Sequence, residues 1–129
     1  MGYSYDGKEW VDFSELKGKV VTKVENNDDY EIVFYTEDGY KYSMYHEQDC
    51  CESVYVESIV GDLNDLVGEE VLMAEESSST DVPPLSEYDD SHTWTFYKLA
   101  SRKGYIDIRW YGSSNGYYSE GVSVVKEKV

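Results

Sequence analysis

The sequence predicts a mainly β domain built from antiparallel sheets, and three observations support this fold class. Apolar and polar side chains alternate with a period of two over most of the chain, which is typical of half-buried strands. Aromatic residues make up 16% of the chain, and 14 residues are tyrosines, which favour pleated, half-buried surfaces. Glycines stand where neighbouring strands would turn back on each other. The 129 residues suffice for a single domain with its own core.

Eight strands and two short helical turns are expected along the chain. Residues 37–39 and 101–104 are predicted to be hairpin turns, in which a glycine supplies the positive φ. Each helical turn has a capping side chain before it and a glycine after it, Gly18 or Gly68. The predicted strands span residues 19–26, 30–36, 40–46, 53–57, 69–75, 92–100, 105–111 and 121–126, and the helical turns span 12–16 and 62–66.

The order of these elements repeats, which predicts two pseudo-repeated β units, at about 13–57 and 62–126, within a single domain over 1–129. Each unit runs from a Leu-x-Gly start through a hairpin to a polar loop with a doubled residue, Cys50-Cys51 or Tyr117-Tyr118. Residues 76–91, rich in Ser, Pro and acids, are expected to form an inserted acidic flexible loop. If the repeat is real, the matching loops would flank one shared cleft. The alternative is that any β protein rich in Val, Tyr and Gly shows such internal similarities.

Acidic side chains are concentrated in the middle of the chain. The net charge is −16, and 14 of the 27 acidic residues lie between Glu47 and Asp90, a stretch without Lys or Arg. Free nucleic acid and membranes are not expected as partners, because binding nucleic acid or anionic lipid needs clustered Lys and Arg. The acidic block either serves solubility or docks on a basic partner protein.

The chain is expected to be cytoplasmic. It contains no apolar run of about 18 residues, and its first ten residues lack the order of a signal peptide. In a reducing compartment Cys50 and Cys51 would stay thiols.

The first candidate site is the polar stretch from His46 to Glu52. Histidine, cysteine and carboxylates close together are typical zinc ligands, but adjacent cysteines rarely bind one ion together. A cysteine nucleophile with His46 as its base is chemically allowed, although no oxyanion-hole pattern accompanies it. The favoured interpretation is that one of the two cysteines packs inward while His46 and Glu52 line a loop. No metal and no cofactor is expected.

The second candidate site is the stretch from Arg109 to Glu120. Arg109 can stack on a planar ring or bind a phosphate with two N–H groups. The loop over residues 112–116 offers backbone N–H groups for an anion. The alternative is a surface hairpin in which Arg109 pairs with Asp107 or with a glutamate.

Strict alternation assigns the faces of the two strands that carry this site. It places Ile106, Ile108 and Trp110 in the core and Asp107, Arg109 and Tyr111 on the opposite face. On the preceding strand it places Trp94 and Phe96 in the core, with Lys98 on the same face. A lysine on a buried face needs a partner, or it lies at the strand end beside the cleft.

Four longer stretches resemble a family of small uncharacterised proteins of bacteriophages and prophages. The resemblance rests on residues 46–54, 61–66, 93–98 and 108–120, and it covers about 13–124. It implies a viral accessory protein that acts in the host cell cytoplasm. Small phage proteins of this kind often neutralise host defence, either by holding nucleotide immune signals or by blocking a nucleic-acid groove with acidic surface. The resemblance assigns no activity to any residue.

Together these patterns favour a non-enzymatic phage-type binding protein that counters antiviral defence by sequestering a nucleotide-derived immune signal. Basic side chains would neutralise phosphates while tyrosines stack on bases. One alternative is an acidic nucleic-acid mimic that docks on the basic groove of a host effector such as a CRISPR nuclease; another is a structural or virion accessory protein. Open sheet edges would allow homo-oligomers. The expected ligand site comprises Arg109, Lys98, Tyr111, Asn115, Tyr117, Tyr118, Ser119, His46, Cys51 and Glu52.

Overall fold

The fold is mainly β, with 56% of the described residues in strands and 7% helical, which confirms the predicted fold class. The computed structural model describes residues 8–48, 51–116 and 119–129. Its helical elements over those ranges are two 3₁₀ turns, Phe13–Leu16 and Leu63–Leu66, and neither is long and apolar enough to cross a membrane. The strands are β1 Glu9–Trp10, β2 Val21–Asn27, β3 Glu31–Thr36, β4 Tyr40–Tyr45, β5 Ser53–Val60, β6 Met73–Ser79, β7 Ser91–Ser101, β8 Gly104–Ser114 and β9 Ser123–Lys128.

Each of the two antiparallel sheets takes one strand from the other half of the chain. The first sheet has the order β1-β9-β4-β3-β2, and the second has the order β5-β8-β7-β6. After β4 the chain crosses to pair β5 with β8, and after β8 it crosses back to pair β9 with β4. We call these connections the first crossover (residues 46–52) and the second crossover (residues 115–122). The exchange interlocks the two halves, so that neither sheet is complete without both of them.

The two 3₁₀ turns meet around a local twofold axis. Four backbone hydrogen bonds join the segments that follow them, and every donor and acceptor has a counterpart 50 residues away. The positive φ angles of Gly18 (88°) and Gly68 (80°) turn the chain out of each 3₁₀ turn into this junction. The bonds are Gly18 N–H to Val71 O, Gly68 N–H to Val21 O, Val71 N–H to Lys19 O and Val21 N–H to Glu69 O, at 2.8, 2.7, 2.9 and 3.2 Å. Pseudo-repeats would produce this reciprocity; duplication itself stays a prediction.

The core lies between the two sheets. Phe13 of the first 3₁₀ turn packs on Tyr97 of β7, with ring centroids 4.6 Å apart, and on Phe34 of β3 at 6.4 Å. Fully burying such a side chain stabilises the fold by about 1.5–3 kcal/mol. The predicted core residues of β8 are also buried, namely Ile106, Ile108 and Trp110.

The face assignment predicted for β7 is wrong by one residue. Tyr97 and Leu99 belong to the core between the sheets. Phe96 and Lys98 therefore lie on the outer face of the second sheet, and Lys98 is exposed there. Trp94 is also on that outer face, although it is only 4% exposed. Alternation alone could not separate the two faces, because β7 carries apolar side chains on both.

The predicted acidic loop is shorter than expected. Residues Glu76 to Ser79 pair with Tyr97 to Trp94 in the ladder between β6 and β7, so this part of 76–91 is strand. Polar residues are tolerated there because β6 is the edge of its sheet. We call the remaining segment, residues 80–90, the acidic loop.

Candidate functional site

The residues predicted to form one cleft lie in two separate places. Lys98, Arg109 and Tyr111 lie on the outer face of the second sheet, on β7 and β8. His46, Glu52 and Ser119 lie in the crossovers, around a second depression. Cys51 and Asn115 are exposed crossover residues and line neither depression, while Tyr117 and Tyr118 lie outside the described residues.

The first depression, here called the outer-face pocket, lies on the outer face of the second sheet. It has a volume of about 460 Å³. Phe96 pairs with Arg109 and Lys98 pairs with Asp107 across the β7–β8 ladder, so these four side chains form two adjacent rows. Its lining residues include Ser58, Ser77, Phe96, Lys98, Asp107 and Arg109. A half-buried ring and two cations thus share one concave surface.

Arg109 forms a surface ion pair, but with Glu57 rather than with Asp107. Its Nε donates to Glu57 Oε2 at 2.7 Å, and its Nη2 lies 2.6 Å from the same oxygen. The guanidinium carbon also lies 5.1 Å from the centre of the Trp94 ring. The side chain is 44% exposed, and exposed ion pairs contribute only about 0–1 kcal/mol. Of the two surface pairs considered from the sequence, the structure therefore contains the pair of Arg109 with a glutamate.

Tyr111 is hydrogen-bonded to the acidic loop and is not open to a ligand. Its side chain is buried, and its hydroxyl accepts from the Leu85 N–H at 3.2 Å and donates to Asp89 Oδ2 at 2.5 Å. Burial, together with the hydrogen bond to Asp89, raises the pKa of Tyr111 to about 12. The hydroxyl is fully engaged while the loop is in place, so a ligand could reach it only if the loop moved.

Two further hydrogen bonds fasten the acidic loop to the outer face. Trp94 Nε1 donates to Pro83 O at 3.0 Å, and His92 Nε2 donates to Val82 O at 2.7 Å. The carbonyl can only accept, so the ring nitrogen of His92 must carry the hydrogen. The loop therefore covers one end of the outer face and leaves the outer-face pocket beside it open.

His46 uses both of its ring nitrogens, one within the first crossover and one to reach the second crossover. Its Nδ1 lies 2.7 Å from Gly121 O, and its Nε2 lies 2.8 Å from Glu52 Oε2. The His46 and Glu52 side chains are only 4% and 0% exposed. The Gly121 carbonyl can only accept, so Nδ1 donates, and a further proton must lie between Nε2 and the carboxylate. Neither nitrogen is left to activate a nucleophile, which argues against the proposed cysteine–histidine chemistry.

The second crossover contains a buried carboxylate of its own, at Glu120. Thr93 Oγ1 donates to Glu120 Oε1 at 2.8 Å, and Ser114 Oγ donates to Oε2 at 2.5 Å. A Cβ at Gly112 would lie 2.5 Å from Glu120 O, so glycine is needed for this close approach. The equivalent positions of Glu52 and Glu120 in the two units were not predicted from the sequence. The signal was a single glutamate just before the last strand of each unit.

The crossovers offer little to an anionic ligand. Their depression, of about 470 Å³, is lined by the carboxylates of Glu47 and Glu52 beside His46. In the loop over residues 112–116, Gly116 N–H donates to Ser114 Oγ at 3.0 Å, and Ser114 itself donates to Glu120. The hydroxyl expected to help bind an anion is thus committed to a carboxylate.

Cysteine and metal chemistry find no support in the crossovers. Cys51 takes part in a disulfide bond, so the prediction that it stays a thiol is wrong; Cys50 lies outside the described residues. Across 8–48, 51–116 and 119–129, no cluster of three or more His, Cys, Asp or Glu side chains is arranged to hold a metal ion.

Fold and site together define a small antiparallel β protein with interlocked halves and a cationic, aromatic pocket on one outer face. The chain belongs to the DUF7448 family, described as a domain of unknown function, whose family model matches residues 14–124. No curated protein and no solved structure matches the chain.

Proposed function

We propose that the protein is a non-enzymatic binding protein that holds a nucleotide-like ligand in the outer-face pocket. The observation that carries the proposal is that Lys98, Arg109 and the Phe96 ring line one depression of about 460 Å³. Pockets for small ligands are usually concave, with volumes of about 300–1,000 Å³ and a few placed polar groups. A planar ring would pack on Phe96 while an anionic group approaches the two cations.

The ion pair with Glu57 leaves Arg109 able to bind an anion. A guanidinium has five N–H donors, and the contacts to Glu57 use its Nε and Nη2. The cation–π contact with Trp94, at 5.1 Å from the ring centre, helps to hold the Arg109 side chain in place before a ligand binds. Lys98 makes no ion pair with any residue of the described ranges and adds a second positive charge.

The biological role that we propose follows from the resemblance to small phage proteins. Tight binding without turnover would sequester a nucleotide-derived immune signal in the host cytoplasm and so counter antiviral defence. Binding is the simpler chemistry here, because His46, the general base considered from the sequence, has both ring nitrogens engaged.

Thermal shift against a panel of cyclic nucleotides, linear nucleotides and ADP-ribose derivatives tests this proposal. We expect at least one member to raise the melting temperature, and we expect Arg109→Ala to abolish that rise. Lys23→Ala is the matched control, because Lys23 also forms an exposed ion pair with a glutamate, Glu25, and lies over an aromatic ring, Tyr35, but on the other sheet.

Two results would contradict the proposal. One is the absence of any shift across the panel. The other is a chemically altered ligand recovered after heat release, which would make the protein an enzyme. A large loss of stability in Arg109→Ala would show instead that its ion pair with Glu57 is structural.

A second candidate function is docking of the acidic surface on a basic effector protein. The exposed carboxylates of Glu75 and Glu76 lie on β6, which is an edge strand, and Glu87 and Asp90 follow in the acidic loop. An open edge strand offers backbone groups to a partner as well as charge. Salt distinguishes the two functions: affinity for a basic protein should fall steeply from about 0.05 to 0.5 M salt, whereas a stacked small ligand should be less affected.

A further inference from the structure

The basic side chains of the β7–β8 hairpin line two neighbouring depressions. Between Lys41 and Lys126 the only basic residues besides the histidines are Lys98, Arg102, Lys103 and Arg109, all on the β7–β8 hairpin. Lys98 and Arg109 line the outer-face pocket. Arg102 and Lys103 line a depression of about 540 Å³ at the turn of the hairpin, together with Leu72, Met73, Ala100 and Tyr105. We call this depression at the hairpin turn the turn-end pocket.

The two pockets share the outer face of the second sheet. Along β8, Ile106 and Ile108 are buried, so Tyr105 alternates onto the same face as Arg109. Arg109 pairs with Phe96, and Tyr105 pairs with Ala100, in one continuous ladder. Strands rise about 3.3 Å per residue, so the rows of Arg109 and Tyr105 are roughly 13 Å apart. Lys98 lies in the row between them.

The turn-end pocket repeats the chemistry of the outer-face pocket. Tyr105 is 75% exposed, and Leu72 beside it is 50% exposed. Lys103 makes no ion pair with any residue that the structure describes, whereas Arg102 is held by Glu69 at 3.0 Å. An exposed ring beside a cation without an ion pair is the arrangement on which proteins stack a base and bind its phosphate.

Resting on the proposed function, we propose that the two pockets are subsites of one site, and that its ligand is a dinucleotide. One base would pack against Phe96, with its phosphate between Arg109 and Lys98. The second base would stack on Tyr105, with its phosphate near Lys103. The exposed carboxylate of Asp107 can only accept hydrogen bonds, so it would face sugar hydroxyls rather than phosphate.

Isothermal titration calorimetry with two probes, the linear dinucleotide pApA and AMP, tests the proposal at fixed ionic strength. We expect pApA to bind at least about fivefold more tightly than AMP, since that is the smallest gain in affinity that one stacked base contributes. Tyr105→Ala should remove this gain and leave the affinity for AMP unchanged. Tyr30→Ala is the matched control, because Tyr30 is 61% exposed on the β2–β3 turn of the other sheet, and it should change neither affinity.

The outcomes separate this inference from the proposed function. Equal affinities for pApA and AMP, both lost in Arg109→Ala, would overturn the dinucleotide site and leave the nucleotide pocket standing. An equal loss for both probes in Tyr105→Ala would also overturn it. Binding of neither probe, nor of any member of the panel, would overturn the proposed function and this inference with it.

Discussion

Replacing His46 with alanine tests whether the junction of the two crossovers holds the interlocked sheets together. His46 bonds to Glu52 within the first crossover at 2.8 Å and to the Gly121 carbonyl of the second crossover at 2.7 Å. His46→Ala removes the proton-bearing partner of a carboxylate that is 0% exposed. It also removes the imidazole N–H group that donates a hydrogen bond to the Gly121 carbonyl.

The loss of unfolding free energy expected for His46→Ala is large compared with the stability of a small domain. Removing one partner of a buried pair costs about 3–5 kcal/mol, while small domains unfold with about 5–15 kcal/mol. For 129 residues the entropy of unfolding is roughly 0.27 kcal/mol per kelvin near 60 °C. The melting temperature of His46→Ala should therefore fall by about 11–18 °C.

Urea unfolding followed by tryptophan fluorescence, with calorimetry for the melting temperature, measures this cost. His92→Ala is the matched control: the other histidine of the chain makes one hydrogen bond, to Val82 O, outside the junction. We expect it to lose about 1 kcal/mol or less. The double variant His46→Ala/Glu52→Gln should be more stable than His46→Ala, because it no longer buries an unpaired charge.

A loss below about 1 kcal/mol in His46→Ala would refute this reasoning, because a buried ionic partner cannot be removed so cheaply. A double variant whose loss equals the sum of the two single losses would also refute it, by showing that the two side chains are not coupled.

Three further predictions follow from the same structure. Gly112→Ala should lose about 1–3 kcal/mol in urea unfolding, because its Cβ would lie 2.5 Å from backbone of the second crossover, whereas Gly121→Ala, with its nearest contact at 3.7 Å, should be nearly neutral. The pKa of Tyr111 is 10.0 in the unfolded chain and about 12 in the fold. Its contribution to stability is therefore complete below pH 10 and is lost as the pH rises toward 12. Tyr111→Phe should flatten this alkaline decline in a plot of melting temperature against pH. The Gly68 amide, bonded at 2.7 Å within the central junction, should exchange with deuterium as slowly as the core strands, and rapid exchange would contradict that junction.

The positions of most elements could be predicted from local patterns. Seven of the strands and both 3₁₀ turns begin within about two residues of their predicted starts, because alternation and turn glycines act over a few neighbouring residues. Strand β6 is the exception. It begins at Met73 rather than at residue 69, since residues 69–71 are used in the junction of the two halves. The two-residue strand β1 was missed because so short a segment carries no pattern.

The candidate site could be predicted only in part. Arg109 lies on the outer face of β8, as alternation predicted, but Lys98 shares its pocket because the faces of β7 are the reverse of the predicted ones. His46 and Glu52 also come together, but in the other depression, across from Gly121. The sequence could not show this separation, because it depends on which strands pair across the exchange.

The sequence by itself determined the fold class, the strands, the hairpin turns and the acidity of the middle block, since each is set by neighbouring residues. Only the tertiary structure decided that β5 and β9 change sheets, because strand pairing joins residues far apart in the chain. It also decided that the acidic loop buries Tyr111 and leaves Arg109 beside an open pocket. Both faces of β7 are apolar, and only packing could show which face the core takes and which remains for a ligand.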